Sequence, residues 1–348
     1  MTEQITYSQL LELVRDPETT DDELLNYFQL DTGQGGFDFC LRVNPNTVIM
    51  TEADAEFENA MQIGNGIERY RRRLRFYSKK RNYPERPVIL SEGDSWFQFP
   101  LLIQETIDHL SDHFNVWSLG AAGDTLANMT EGNPRKHGFE FLIGLRQLNG
   151  AARAFLFSAA GNDILGEDPG TKLPMLEPLL VHFNGDERDV QGHIDHKKLD
   201  DRLTHLEAGY LRMIDLVRNE TGCENLPIVV HGYDYAFPYP FGSQEHRNPI
   251  YAANDQWLGR AFTAKGIEES NLRRSIIIHL VDRLYEMLNG LSEKASSSGI
   301  WVVDCRGAMP DLTDWADEIH GNSRGFAEVG RRFRITLDKA IAHSGGET

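Results

Sequence analysis

The sequence predicts an α/β fold in which a doubly wound parallel sheet follows a helical N-terminal region. From residue 87 onward, short apolar runs alternate with segments of helical periodicity. This alternation is typical of a parallel sheet with helices on both faces. Residues 1–82 carry helical patterns instead, and a chain of 348 residues exceeds the usual size of one compact domain. We therefore divide the chain into a helical region of unassigned role, residues 1–82, and a main domain, residues 83–348.

The N-terminal region is predicted to contain two short amphipathic helices and one longer helix. The short helices span residues 6–15 and 20–29, and a Gly-rich loop at 33–36 separates them from a helical stretch at 53–80. The long helix carries a basic run over residues 69–81. Because the chain has a net charge of −18, we interpret this run as a solvated helix face paired with acidic neighbours. A grip on a phosphate-rich partner is the alternative.

Five apolar runs in the main domain are predicted to form its buried parallel strands. They lie at residues 88–90, 116–119, 154–157, 227–230 and 300–303. In doubly wound sheets, ligands bind outside the carboxyl ends of the strands. The residues that directly follow each run are therefore the candidates for a functional site.

The bulk composition narrows the possible functions. Hydrophobic residues make up 40% of the chain and charged residues 25%, as in folded globular proteins. The net charge of −18 makes nucleic acid and anionic membranes unlikely partners, since both repel such a chain. No apolar run is long enough for a membrane span, no leader peptide is visible, and the three cysteines show neither metal nor disulfide spacing. We expect a cytoplasmic protein.

Residues suited to acyl transfer follow four of the predicted strands. Ser95 follows the first strand, Gly123 the second and Asn162 the third, and Asp317 and His320 follow the fifth. Taken singly, each has an ordinary alternative: a helix-capping serine, a turn glycine, a turn asparagine and a surface ion pair. Taken together, they supply a nucleophile, a base, a group that orients the base, and donors for an oxyanion.

With these residues in this order, residues 86–345 resemble the SGNH hydrolases, also called GDSL-type lipases and esterases. The resemblance implies a flavodoxin-like three-layer α/β/α sandwich with a central five-stranded parallel sheet. It also implies that Ser95 attacks the substrate, that His320 takes its proton and that Asp317 orients the imidazole. The oxyanion hole would then consist of the backbone N–H groups of Ser95 and Gly123 and the side chain of Asn162. Neither a metal nor another cofactor is implied.

We therefore expect a serine-dependent hydrolase that cleaves a small-molecule, glycan or lipid ester through an acyl-enzyme on Ser95. Two alternatives stay open: transfer of the acyl group to an alcohol or sugar, and a binding or regulatory module acting through the N-terminal helices. Trp96, His231 and Tyr233 follow strands at the same sheet edge and are candidates for substrate contact. Ordinary core packing is their alternative.

Two further motifs compete for a function. Ser323 lies in a Gly-x-Ser-x-Gly sequence, but the one aspartate and the one histidine that follow it, Asp338 and His343, both lie within the terminal helix. The elbow of α/β-hydrolases needs its acid and histidine later in the chain, so we interpret Ser323 as a helix cap. His193 and His196 have no further ligand nearby in the sequence, and we expect no metal there.

Overall fold

A computed structural model provides the fold, and it describes residues 4–16, 18–32, 39–50, 63–99, 103–131, 139–166, 173–247, 258–294 and 299–345. The strands are β1 (Ile5–Thr6), β2 (Phe28–Thr32), β3 (Phe39–Val43), β4 (Val48–Ile49), β5 (Val88–Gly93), β6 (Asn115–Ser118), β7 (Ala152–Ser158), β8 (Ile228–His231) and β9 (Ile300–Val303). The helices are α1 (Tyr7–Arg15), α2 (Asp21–Leu25), α3 (Ile63–Asn82), α4 (Thr106–Leu110), α5 (Leu126–Glu131), α6 (Glu140–Leu148), α7 (Gly161–Leu165), α8 (His196–Arg218), α9 (Leu258–Ala264), α10 (Ser270–Lys294) and α11 (Ser323–Gly345). Within these ranges, no helix is both long enough and apolar enough to span a bilayer.

Strands β5 to β9 form a single five-stranded sheet in the order β6-β5-β7-β8-β9, and every pairing in it is parallel. All five predicted strands are therefore confirmed. Strands β5, β6 and β8 are buried along their whole length, because helices cover both faces of the sheet. The chain passes from β5 to β6 on one side and returns to β7 on the other, so the topological switch point lies beside β5. That edge of the sheet is where a doubly wound fold places its site.

The N-terminal region contains strands as well as helices, which corrects the prediction of a purely helical appendage. Helix α1 lies where the periodicity predicts it, but the second helix ends at Leu25, and residues 28–32 form β2, antiparallel to β3. Phe28 and Val43 pair across this hairpin, and both are buried in a small apolar cluster with Leu24. Pairing with a distant segment thus overrides the local helical pattern. The predicted Gly-rich loop at 33–36 lies outside the described residues.

Helix α3 joins this region to the main domain. Phe76 belongs to the main apolar core and stacks on Trp117 of β6 with 5.7 Å between ring centroids. The described helix begins at Ile63, so the predicted residues 53–62 lie outside the described part. The interpretation of the basic run as a solvated face is wrong for Arg71 and Arg72, which are buried. Their burial is possible because each pairs with a carboxylate, Arg71 with Asp21 of α2 and Arg72 with Glu105 of the main domain.

Candidate active site

The nucleophile candidate Ser95 lies on a tight turn at the carboxyl end of β5. The Asp94 carbonyl oxygen accepts hydrogen bonds from the backbone N–H groups of Phe97 and Gln98, each at 3.0 Å. Gly93 is required directly before this turn, since a Cβ atom there would lie 2.6 Å from the Cβ of Ser158. The strand end before Ser95 thereby packs closely against β7, and Ser95 is 3% exposed.

The structure brings Ser95, His320 and Asp317 into one hydrogen-bonded chain. His320 Nε2 lies 2.7 Å from Ser95 Oγ, and His320 Nδ1 lies 2.7 Å from Asp317 Oδ2. The other oxygen of Asp317 accepts the backbone N–H groups of Ile319 at 2.9 Å and His320 at 2.7 Å. A carboxylate facing Nδ1 fixes the hydrogen there, so Nε2 keeps a lone pair toward the serine hydroxyl. This geometry suits general-base activation of Ser95.

The candidate oxyanion donors Gly123 and Asn162 lie in the loop after β6 and in the first turn of helix α7. Asn162 opens helix α7, and its side-chain nitrogen donates one hydrogen bond to the Asp124 carbonyl oxygen at 2.7 Å. Gly123 precedes that carbonyl and has a φ of 86°, a left-handed conformation that favours glycine. Ser95 and Asn162 line the same cavity, which has a volume of about 20 Å³. The amide of Asn162 therefore links the loop after β6 to helix α7, whose first turn lies beside the cavity at Ser95.

The three candidates for substrate contact occupy different places. Trp96 and Tyr233 line the cavity beside Ser95, with the Trp96 indole N–H donating to the Ile319 carbonyl oxygen at 2.9 Å. His231 does not reach the cavity, which corrects the prediction that it contacts substrate. It is fully buried, and burial lowers the pKa of its imidazole to about 3. The ring is therefore a neutral core group.

A second group of serine, histidine and aspartate lies beneath the nucleophile turn. His231 Nε2 lies 2.7 Å from Ser158 Oγ, and Ser158 Oγ donates to Asp94 Oδ1 at 2.8 Å. The Tyr233 hydroxyl donates to Asp94 Oδ2. The sequence analysis missed Asp94 and Ser158, although one signal was available. A polar residue at the end of an otherwise apolar strand, as Ser158 is in β7, indicates a buried hydrogen-bonding role.

The loop carrying Asp317 and His320 is anchored by two buried residues that the sequence analysis did not identify. The Glu318 carboxylate accepts the backbone N–H groups of Tyr239 at 2.7 Å, Leu258 at 3.0 Å and Gly259 at 2.8 Å. Arg247 donates to the Asp317 carbonyl oxygen at 3.0 Å. The connection that follows β8 is therefore hydrogen-bonded to the loop that carries His320.

The nucleophile turn is anchored from the N-terminal side by α3. Arg72 donates to the Phe97 carbonyl oxygen at 3.1 Å and forms two hydrogen bonds to Glu105, at 3.0 and 2.7 Å. Glu105 also accepts the backbone N–H of Phe99 at 3.2 Å. The ring of Phe99 meets the His320 imidazole edge-on at 4.6 Å between centroids. Helix α3, which lies outside the predicted main domain, thus supports both the turn after Ser95 and the ring of His320.

The competing motifs have structural explanations. Both ring nitrogens of His193 are occupied, since Nδ1 lies 2.6 Å from the Asp189 carbonyl oxygen and Nε2 accepts the Asn184 N–H at 3.2 Å. Among the described residues, no group of three or more His, Cys, Asp or Glu side chains is arranged to hold a metal. Ser323 does not cap α11, contrary to the prediction. Asn322 accepts the Gly325 N–H at 3.0 Å in that role, and Ser323 Oγ accepts the backbone N–H of Gln104.

Similarity to known proteins is found among solved structures. No family model and no curated protein matches the chain. Among solved structures, it is similar to a carbohydrate esterase family 3 protein from Talaromyces cellulolyticus, with 12% identity, a TM-score of 0.38, and 74% of this chain and 98% of that chain covered. A carbohydrate acetylesterase from Sinorhizobium meliloti gives 13%, 0.39, 73% and 98%. An extracellular lipase from Streptomyces rimosus gives 11%, 0.42, 72% and 99%.

Proposed function

We propose that the protein hydrolyses carboxylic esters through an acyl-enzyme on Ser95. The observation that carries the proposal is the hydrogen-bonded chain from Ser95 Oγ through His320 to Asp317, with both links at 2.7 Å. All three residues are buried, so water does not weaken the hydrogen bonds between them. A nucleophile, a base and an orienting carboxylate in hydrogen-bond contact are the constellation that acyl transfer requires.

In the proposed reaction, Ser95 Oγ attacks the ester carbonyl carbon while its proton moves to His320 Nε2. The carbonyl oxygen becomes an oxyanion, which the Ser95 and Gly123 N–H groups and the Asn162 amide stabilise. The bond to the alcohol oxygen then breaks, and His320 returns the proton to the departing alcohol. A water molecule attacks the acyl-enzyme in the same way, with His320 again as base, and releases the acid and the free serine.

A fluorophosphonate reagent tests the nucleophile directly. We expect the reagent to modify the wild-type protein at Ser95, with the adduct located by mass spectrometry of the digested protein. The Ser95→Ala variant should remain unlabelled and should lose esterase activity. Because mapping of the wild-type protein needs no variant, it also discriminates Ser95 from Ser158, the serine of the second buried group. An adduct on Ser158, or equal labelling of wild type and Ser95→Ala, contradicts the proposal.

The cavity at Ser95 favours a short acyl group. As the described residues form it, the cavity has a volume of about 20 Å³ beside Ser95, room for a group about the size of one water molecule. Side chains of Trp96, Leu165 and Ile319 form part of its apolar wall. We therefore propose acetyl-type esters as substrates, and we expect kcat/KM on p-nitrophenyl esters to fall at least about tenfold from acetate to octanoate. A profile that rises with chain length contradicts this choice of substrate while leaving the nucleophile assignment intact.

A further inference from the structure

We propose that Tyr233 is a positioning residue that holds the first turn of α7, which carries Asn162, against the nucleophile turn. It does so at the end of a buried hydrogen-bond relay, which we define as His231, Ser158, Asp94 and Tyr233. This inference rests on the function proposed above, because it assigns Tyr233 a part in the same reaction. The relay is almost completely shielded from solvent, with Ser158 and His231 at 0% exposure, Asp94 at 2% and Tyr233 at 5%.

The backbone fixes the direction of the hydrogen bonds in the relay. The Tyr233 N–H donates to His231 Nδ1 at 3.3 Å, so this nitrogen is an acceptor. Because the buried ring is neutral, its hydrogen lies on Nε2, which donates to Ser158 Oγ at 2.7 Å. The Ser158 hydroxyl in turn donates to Asp94 Oδ1 at 2.8 Å. His231 therefore has no lone pair with which to deprotonate Ser158, and the group is not a second catalytic triad.

The Tyr233 hydroxyl is the point at which the relay meets the catalytic loops. It donates to Asp94 Oδ2 and accepts the backbone N–H of Gly161 at 2.9 Å. Asp94 directly precedes Ser95, and Gly161 directly precedes Asn162. A single hydroxyl thus connects the residue before the nucleophile to the residue before the side-chain oxyanion donor.

Local geometry indicates that this contact is specified rather than incidental. Tyr233 has a φ of 71°, in the left-handed region that residues with a Cβ atom rarely adopt. Such backbone strain persists only where the surroundings hold it, and it clusters at functional sites. Gly161 is equally constrained, since a Cβ atom there would lie 2.6 Å from Tyr233 Cζ. The phenol ring therefore packs directly against Gly161 at the start of α7.

Loss of the hydroxyl should affect the transition state more than substrate binding. An oxyanion donor contributes only when it is held in place before the charge develops, and a displacement of about 1 Å costs about 100-fold in rate. Without the hydroxyl, the Gly161 N–H and one Asp94 oxygen lose their partner. The first turn of α7, which carries Asn162, is then free to move away from Ser95.

The matched pair Tyr233→Phe and Tyr235→Phe tests the proposal. Both substitutions remove one phenol hydroxyl, but that of Tyr235 bonds to Asp282 at 2.7 Å, outside the relay and the catalytic loops. We expect Tyr233→Phe to lower kcat on p-nitrophenyl acetate by about 10- to 100-fold, with KM changed less than about threefold. Tyr235→Phe should keep wild-type kinetics. Urea titrations of both variants measure their stability and so show whether a loss of activity reflects a loss of folded protein.

A double mutant separates positioning from a general structural effect. If Tyr233 acts through Asn162, the variant Tyr233→Phe with Asn162→Ala should be at most about threefold slower than Asn162→Ala alone. Additive losses overturn the proposal, as does an unchanged kcat in Tyr233→Phe. A raised KM with an unchanged kcat overturns it in favour of direct substrate contact.

A second variant covers the case in which Tyr233→Phe does not fold. In Asp94→Ala the Tyr233 hydroxyl loses its acceptor, so the link from residue 94 through Tyr233 to Gly161 is broken. We expect the same fall in kcat, and wild-type kinetics in this folded variant overturn the proposal. Fluorophosphonate labelling keeps the two proposals apart. Failure of the proposed function appears as a missing adduct on Ser95 of the wild-type protein, whereas failure of this inference leaves that adduct intact.

Discussion

The buried pair of Arg72 and Glu105 gives a quantitative test of how helix α3 supports the candidate active site. Arg72 is 5% exposed and Glu105 is 0% exposed, with Arg72 Nη2 and Glu105 Oε2 2.7 Å apart. The Arg72→Met variant keeps an apolar side chain at this position but leaves the Glu105 carboxylate buried without its cation. Removing one partner of a buried ion pair costs about 3 to 5 kcal/mol. The hydrogen bond from Arg72 to the Phe97 carbonyl oxygen is lost as well.

Urea unfolding measures this loss as the change in midpoint multiplied by the m value. Arg73→Met is the matched control, because Arg73 is the next residue of α3, is exposed, and lies over the Trp117 ring at 5.5 Å. An exposed cation–π contact contributes about 0.5 to 1 kcal/mol. A loss below about 1 kcal/mol in Arg72→Met, or equal losses in the two variants, refutes the argument that the buried pair anchors the turn.

The double variant Arg72→Met with Glu105→Leu tests the physical origin of the loss. If the loss arises from an unpaired buried charge, replacing the carboxylate by an apolar group should recover part of the stability. The recovery should be incomplete, because Glu105 also accepts the Phe99 N–H and caps α4 through Ile107 and Asp108. A double variant less stable than Arg72→Met by the full cost of Glu105→Leu alone indicates that the two side chains act independently.

Three further predictions follow from the same contacts. Removal of residues 1–82 takes away Arg72, so the fragment 83–348 should show no cooperative urea transition; a stable, active fragment contradicts this. Asn162→Ala should lower kcat about 100- to 1,000-fold, and a smaller effect than for Tyr233→Phe argues against its role as a donor. Burial raises the pKa of the Glu92 carboxyl well above its usual range, so folding takes up a proton and stability falls as the pH rises above the pKa in the unfolded chain. Glu92→Gln should therefore gain stability over wild type that grows between pH 5 and pH 8, and a pH-independent gain contradicts the argument.

The sheet and the meeting of the candidate site residues were predictable because local signals determine both. Apolar runs without alternation are typical of parallel strands that are buried on both faces, and all five runs became strands of the central sheet. The carboxyl ends of parallel strands meet at one edge, so Ser95 and Asn162 were expected to lie together. Asp317 and His320 are three residues apart, and a hydrogen bond between them needs only a local turn.

The supporting contacts were not predictable, because they join residues that are distant in the sequence. The bond between the Tyr233 hydroxyl and Asp94 spans 139 residues, and that between Arg72 and Glu105 spans 33 residues. Composition also pointed the wrong way, since arginine is mostly exposed and a basic run is usually solvated. Only the folded chain shows that the turn between Glu105 and the nucleophile supplies an acceptor for a buried guanidinium.

The two buried groups of serine, histidine and aspartate show why composition does not identify a catalytic triad. In both groups a histidine Nε2 lies 2.7 Å from a serine oxygen. The difference lies at Nδ1: His320 faces a carboxylate there, whereas His231 faces a backbone N–H. A carboxylate requires a hydrogen on Nδ1 and leaves Nε2 free to accept the serine proton. A backbone N–H requires a lone pair on Nδ1 and moves the hydrogen to Nε2, where it blocks that proton transfer. The partner of the far nitrogen therefore decides which histidine can accept a proton from its serine, and it favours Ser95 as the nucleophile candidate.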